Sequence, residues 1–152
     1  MPMHHDKKTQ SKKAMRKVDV IYPLTIAKLT KKMGAKQFLF VSSLNANAQS
    51  PIFYSRIKGE LENDVRKICF DSVSIFRPSL LLGNREEFRL GEKSAEVLFS
   101  VFPFIFVGPL KKYKAIQSIT VAHAMFKVAQ LNVKRVMLYP SEKIEEIGNS
   151  AE

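Results

Sequence analysis

The pattern that most restricts this chain is an apolar run ending in two serines, Phe38-Leu39-Phe40-Val41-Ser42-Ser43, with Tyr54 and Lys58 following eleven and fifteen residues after Ser43. Such a run reads as a buried strand that runs out into a polar loop. A Tyr and a Lys four apart on the next helix share one face, one turn apart. A hydroxyl, a phenol and an ammonium are thereby gathered at the carboxyl end of a strand. Open α/β sheets bind their ligands there.

The rest of the chain agrees with an α/β parallel sheet. Ala14 to Met33 has apolar residues at roughly helical spacing (Val18, Ile21, Leu24, Ala27, Leu29), with lysines on the other face and Gly34 as a stop. Pro23 inside that stretch should kink the helix or open a fresh first turn. After strand 37–41, residues 42–51 form a loop rich in turn formers. A helix is expected over 52–67 and a strand over 72–76, the latter ended by Arg77-Pro78. Leu80–Leu82 reads as strand or loop and Gly83–Gly91 as a charged loop. Helices are expected over 92–102 and 120–131, and a last strand over 135–139. The alternation of helix and strand favours a parallel sheet. The division expected is a basic flexible arm over 1–13, an α/β part over 14–140 and an acidic tail over 141–152.

Net charge is +11, but residues 1–36 hold ten Lys or Arg against Asp6 and Asp19, which leaves +3 for the other 116 residues. The basicity belongs to one end of the chain. That end lacks interleaved aromatics apart from Tyr22, so nucleic acid is not the expected partner. The apolar stretch Val97–Val107 is broken by Ser100 and Pro103 and too short to cross a bilayer. One cysteine, Cys69, leaves no intramolecular disulfide framework and suits a reducing cytoplasm. Its neighbours Ile68 and Phe70 suggest an inert core position. His4 and His5 read as a solvated tail and His123 as a packed or capping residue. No metal site is expected.

Three segments in order, Phe38-Leu-Phe-Val-Ser-Ser-Leu44, Phe53-Tyr-Ser-Arg-Ile-Lys-Gly-Glu-Leu-Glu62 and Ile75-Phe-Arg-Pro-Ser-Leu-Leu-Leu-Gly83, resemble the second half of the short-chain dehydrogenase/reductase superfamily. They are similar to its atypical NAD(P)-binding branch, the small Tat-interacting-protein-like oxidoreductases. Arg85-Glu-Glu-Phe-Arg-Leu-Gly-Glu92 fits the same group, and the resemblance covers about residues 12–140. It implies NADP or NAD as cofactor and a small-molecule substrate. It also implies roles. Tyr54 would be the general acid that protonates a carbonyl, or the base in reverse. Lys58 would lower the Tyr54 pKa and hydrogen-bond the nicotinamide ribose. Ser43, rather than Ser42, would hydrogen-bond the substrate oxygen. Ser42 and the backbone around Arg77, Pro78 and Ser79 would lie on the cofactor side.

The chain departs from that family in one respect. Its six glycines (Gly34, Gly59, Gly83, Gly91, Gly108 and Gly148) nowhere form the Gly-rich turn that brings a backbone up to a pyrophosphate. The fold expected is therefore an incomplete Rossmann-like doubly wound parallel sheet, lacking its first strands and phosphate loop. From this follow a truncated oxidoreductase-like protein, weakly active or inactive alone, and an exposed sheet edge open to self-association. The alternatives are a non-enzymatic binding module, or a half-protein that pairs with a separate amino-terminal half.

Overall fold

The structure, a computed structural model, describes residues 3–79, 81–82, 116–131 and 133–150. Three parallel strands, β1 (Gln37–Val41), β2 (Ser72–Arg77) and β5 (Val136–Pro140), form one sheet in the order β1-β2-β5. Phe40 lies opposite Ile75, and Ile75 opposite Leu138. A second sheet pairs the two-residue strands β3 (Leu81–Leu82) and β4 (Ile116–Gln117), also in parallel. The parallel α/β architecture expected from the sequence is the one observed. The expected loop over 83–91 and helix over 92–102 lie outside the described residues.

β2 is the central strand, and its residues Ser72 to Phe76 are all buried. Their side chains alternate between two cores, as strand geometry requires. On one face Val73 and Ile75 join Phe40 of β1 and Ile57, Leu61 and Val65 of helix α3 (Phe53–Arg66). On the other, Phe76 stacks on Tyr139 at 4.9 Å. There it meets Val121, Ala124 and Val128 of helix α4 (Ser118–Ala129) and Ile144 of helix α5 (Ser141–Asn149). A parallel strand covered on both faces explains why even its serines, Ser72 and Ser74, are buried alongside Val73, Ile75 and Phe76.

The amino-terminal segment is helical throughout. Helix α1 (Met3–Arg16) leads into a π-helical turn, Lys17–Ile21, and then helix α2 (Tyr22–Lys32). Residues 3–13, expected as part of a flexible arm, thus have helical geometry, and Met15 two residues on packs against the first core. The π turn has a local cause. Pro23, in the first turn of α2, has no N–H to donate and its ring crowds the carbonyl four residues back, so the backbone widens just ahead of it. Gly34 stops α2 as expected. It takes φ +94°, and the next N–H, that of Ala35, returns to the Thr30 carbonyl at 3.0 Å.

Three further expectations are corrected. The segment read as an acidic tail contains α5, whose Ile144 is fully buried. Gly148 lies so close to α4 that a Cβ there would come within 2.4 Å of the Thr120 carbonyl oxygen. Its acids occupy the outer face of an amphipathic helix, which composition alone could not reveal. Cys69 is exposed, with φ 59°, in the turn that ends α3. The left-handed turn swings it out of the core its neighbours enter. His123 is exposed on α4 rather than packed or capping.

Candidate functional site

The residues singled out by sequence all lie at the carboxyl end of β1 and β2 or on the helix that follows β1. Strand pairing persists past the formal strand ends: the Ser42 N–H donates to the Phe76 carbonyl at 2.7 Å, and the Leu44 N–H to that of Pro78 at 3.2 Å. The two adjacent strand ends, with Ser42 and Ser43 on one and Arg77, Pro78 and Ser79 on the other, are thereby locked together.

The loop from β1 to α3 is held by close backbone approach. A Cβ on Gly59 would come within 2.2 Å of the Ala48 nitrogen, so only glycine lets this loop lie on α3. The Asn47 N–H donates to the Ser55 carbonyl at 2.9 Å, while the Asn47 Oδ1 accepts from the Gln49 N–H at 2.9 Å. These contacts set the start of α3, and hence Tyr54, relative to the end of β1.

Three of the candidate residues are tied up internally. The Ser42 hydroxyl donates to Glu62 Oε1 at 2.6 Å, and Arg77 grips both Glu62 oxygens, Nε at 2.9 Å and Nη2 at 2.7 Å. Glu62 is 2% exposed. This is a two-pronged, charge-assisted clamp joining β1, α3 and β2. Ser79 is likewise engaged: its N–H and hydroxyl both meet the Ser141 hydroxyl, at 3.2 and 3.0 Å, and Pro78 is buried.

Ser43 is different. Among the described residues its Oγ is the one buried side-chain nitrogen or oxygen with no hydrogen-bond partner. Native interiors seldom leave such an atom unmatched, because its lost hydration is not repaid. It is suited to meet a polar atom from beyond the described residues.

Tyr54 and Lys58 are brought together as the helical spacing requires. Lys58 Nζ lies 5.6 Å from the Tyr54 ring centroid. The ammonium, 8% exposed as a residue, is paired with Asp19 Oδ1 at 2.7 Å. Tyr54 is 40% exposed as a residue, yet desolvation of its phenol oxygen pushes it above its ordinary pKa; Lys58 pulls it down and Asp19 adds to the rise. The sign expected for Lys58 is present, but desolvation outweighs it. No described hydrogen bond joins Ser43 to Tyr54.

Asp19 and Glu62 are the residues that sequence reasoning missed. Glu62 continues the row Tyr54, Lys58 at the next fourth position, and a carboxylate on a helix face bound for the core is a readable sign of a buried ion pair. Asp19 gave no such sign, because it reaches Lys58 from the π turn. Among the described residues no group of His, Cys, Asp or Glu can hold a metal ion, and no helix is long and apolar enough to cross a membrane.

No family model matches the chain. It is similar to Protein FMP52, mitochondrial, of Candida albicans, with 41% identity over 92 residues, which are 60% of this chain and 40% of that protein. It is equally similar to Protein HTATIP2 of Rattus norvegicus, 41% identical over 87 residues, 57% of this chain and 36% of the rat protein. The fmp52 protein of Emericella nidulans is 38% identical over 79 residues. The chain thus spans about two fifths of the length of these relatives. The similarities support the resemblance at the level of family. They also correct the compartment: several of these relatives are named as mitochondrial proteins, against the cytoplasm expected here. A single cysteine speaks against structural disulfides within the chain and does not choose among reducing compartments.

Proposed function

We propose that this chain is the carboxyl-terminal part of an NAD(P)-binding, oxidoreductase-like protein of the short-chain dehydrogenase/reductase type, weakly active or inactive by itself. The observation that carries this reading is the buried Ser43 Oγ at the strand end, without a hydrogen-bond partner among the described residues, at the start of the loop that leads to the helix bearing Tyr54 and Lys58. On this reading Ser43 binds a substrate oxygen and Tyr54 holds the proton to be passed to it. Lys58, 5.6 Å from the Tyr54 ring centroid, acts on Tyr54 by its charge and is the residue assigned to a ribose hydroxyl. NADP or NAD supplies the hydride when bound.

The fit is one-sided. Of the described glycines, Gly34 terminates α2 and Gly59 and Gly148 serve close packing, so among the described residues no glycine turn offers backbone N–H groups to a pyrophosphate. Weak nucleotide binding follows. Titration of NADPH and of NADH into the purified chain should show no saturation in the submicromolar range; saturation there overturns the weakly active part of the proposal. A second reading rests on β1, whose outer edge has no strand beside it among the described residues and whose sequence, Gln37-Phe-Leu-Phe-Val41, carries no charge or proline to protect it. On it the chain is a part-domain, its sheet completed by a separate amino-terminal half or by another copy. The mitochondrial names of the fungal relatives put that compartment forward for this chain as well.

A further inference from the structure

Helix α2 is apolar on two opposite sides. One side (Val20, Leu24, Ala27) packs into the first core. The other (Val18, Tyr22, Ile26, Leu29, Met33) faces solvent, with exposures from 48% at Tyr22 to 86% at Met33. With 3.6 residues per turn, the last four of these fall within about 60° of arc, and the π turn brings Val18 onto the same line. A continuous stripe of this length on a helix already anchored by its opposite face is a surface for another helix.

What fits it is indicated by charge. The row one residue back along α2 contains Lys17, Lys28 and Lys32, all exposed, and none has an ion-pair partner among the described residues; Lys17 leans over the Tyr22 ring at 5.6 Å. The row on the other flank carries one charge, Asp19, and that is taken by Lys58. Paired α2 to α2, a second copy of the chain could therefore offer the lysine row only itself or an uncharged row, and the acids of α5 stand on the outer face of a helix whose apolar side is buried in its own core. From this we infer that the outer face of α2 is a docking surface for an acidic amphipathic helix of a partner protein, its apolar side laid on the stripe and its carboxylates on the lysine row. The inference does not depend on nucleotide binding.

Two synthetic helices of about three heptads, each with a leucine stripe, test it, one flanked by glutamates and the other by lysines. Titrated into the full chain at low salt and read by fluorescence anisotropy, the glutamate helix should bind at least about tenfold tighter than the lysine helix, the gap closing as salt is raised. The exposed pair Leu29→Gln/Met33→Gln should abolish binding while leaving the charge of this face unchanged, which separates docking from charge attraction alone. Lys28→Glu/Lys32→Glu should reverse the preference. Equal binding of the two helices, binding that survives Leu29→Gln/Met33→Gln, or self-association of the chain that this pair abolishes would each overturn the inference. Circular dichroism establishes that the variants, all at exposed positions, keep the fold.

Discussion

Ser42 and Ser43 are neighbours of the same residue type at the end of the same strand, yet they belong to two different regions. Ser42, just past the end of β1, donates its N–H to the Phe76 carbonyl, and its hydroxyl enters the clamp of Glu62 and Arg77, where the polar groups are matched to one another. Ser43 opens the loop, its carbonyl accepting the Ala46 N–H at 3.0 Å, and its hydroxyl is buried with no partner among the described residues. The first region is built to hold the strand ends in place. The second keeps a hydrogen-bonding group that no described residue meets, a cost that the packing of those residues does not require. Framework and site can therefore be told apart by whether polar groups are satisfied, even where the residue type is identical.

The contrast is most sharply tested at Glu62. Glu62→Ala leaves the Arg77 guanidinium partly buried without its carboxylate, and should cost about 3–5 kcal/mol in urea unfolding, the range for breaking a buried pair. A loss below about 1 kcal/mol would show the clamp to be no framework. Ser42→Ala removes one hydrogen bond to that charge and should cost about 1.5–3 kcal/mol. Ser43→Ala, in the same measurement, should leave stability within about 0.5 kcal/mol of the parent or raise it, since no bond to a described residue is lost. Equal costs for the two serines would erase the distinction between the regions.

The smallest effect expected is one of pH. The folded pKa of Tyr54 is raised above its unfolded value, so the proton is held more tightly in the folded state. The stabilisation this represents is complete below the unfolded pKa, about 10 for a phenol, and is lost as pH rises through the higher folded value. Thermal melts between pH 9 and 11 (a window set about that reference value) should therefore fall less steeply in Tyr54→Phe than in the parent. A steeper fall would mean that the charge of Lys58, not burial, governs the phenol.

Much of the framework is legible in local sequence pattern. The limits of β1 agree with the apolar run at Gln37–Val41, and α3 starts and ends within one residue of the helix expected there. Both are signalled by contiguous apolar residues, a loop of turn formers, and the Ser50-Pro51 pair ahead of the helix. The carboxyl-terminal acids mislead because composition hides the spacing of Ile144 and Gly148. Cys69 misleads because its exposure depends on one left-handed backbone angle between two apolar neighbours. The Tyr54–Lys58 pairing is legible from helical spacing; the partner that neutralises Lys58 is not.

By itself, then, the sequence determined the parallel α/β class, the strand ends at which the candidate residues gather, and the shared face of Tyr54 and Lys58. These follow from patterns a few residues long, where backbone geometry allows few alternatives. Only the tertiary structure decided which polar groups are spent and which remain. Asp19 meets a lysine thirty-nine positions away because a proline-induced π turn rotates it there. Arg77 and Ser42 converge on one buried carboxylate, while Ser43 meets no partner among the described residues. The reason is physical: the cost of a polar group depends on what else the fold brings into the same dehydrated volume, and that is a property of no segment taken alone.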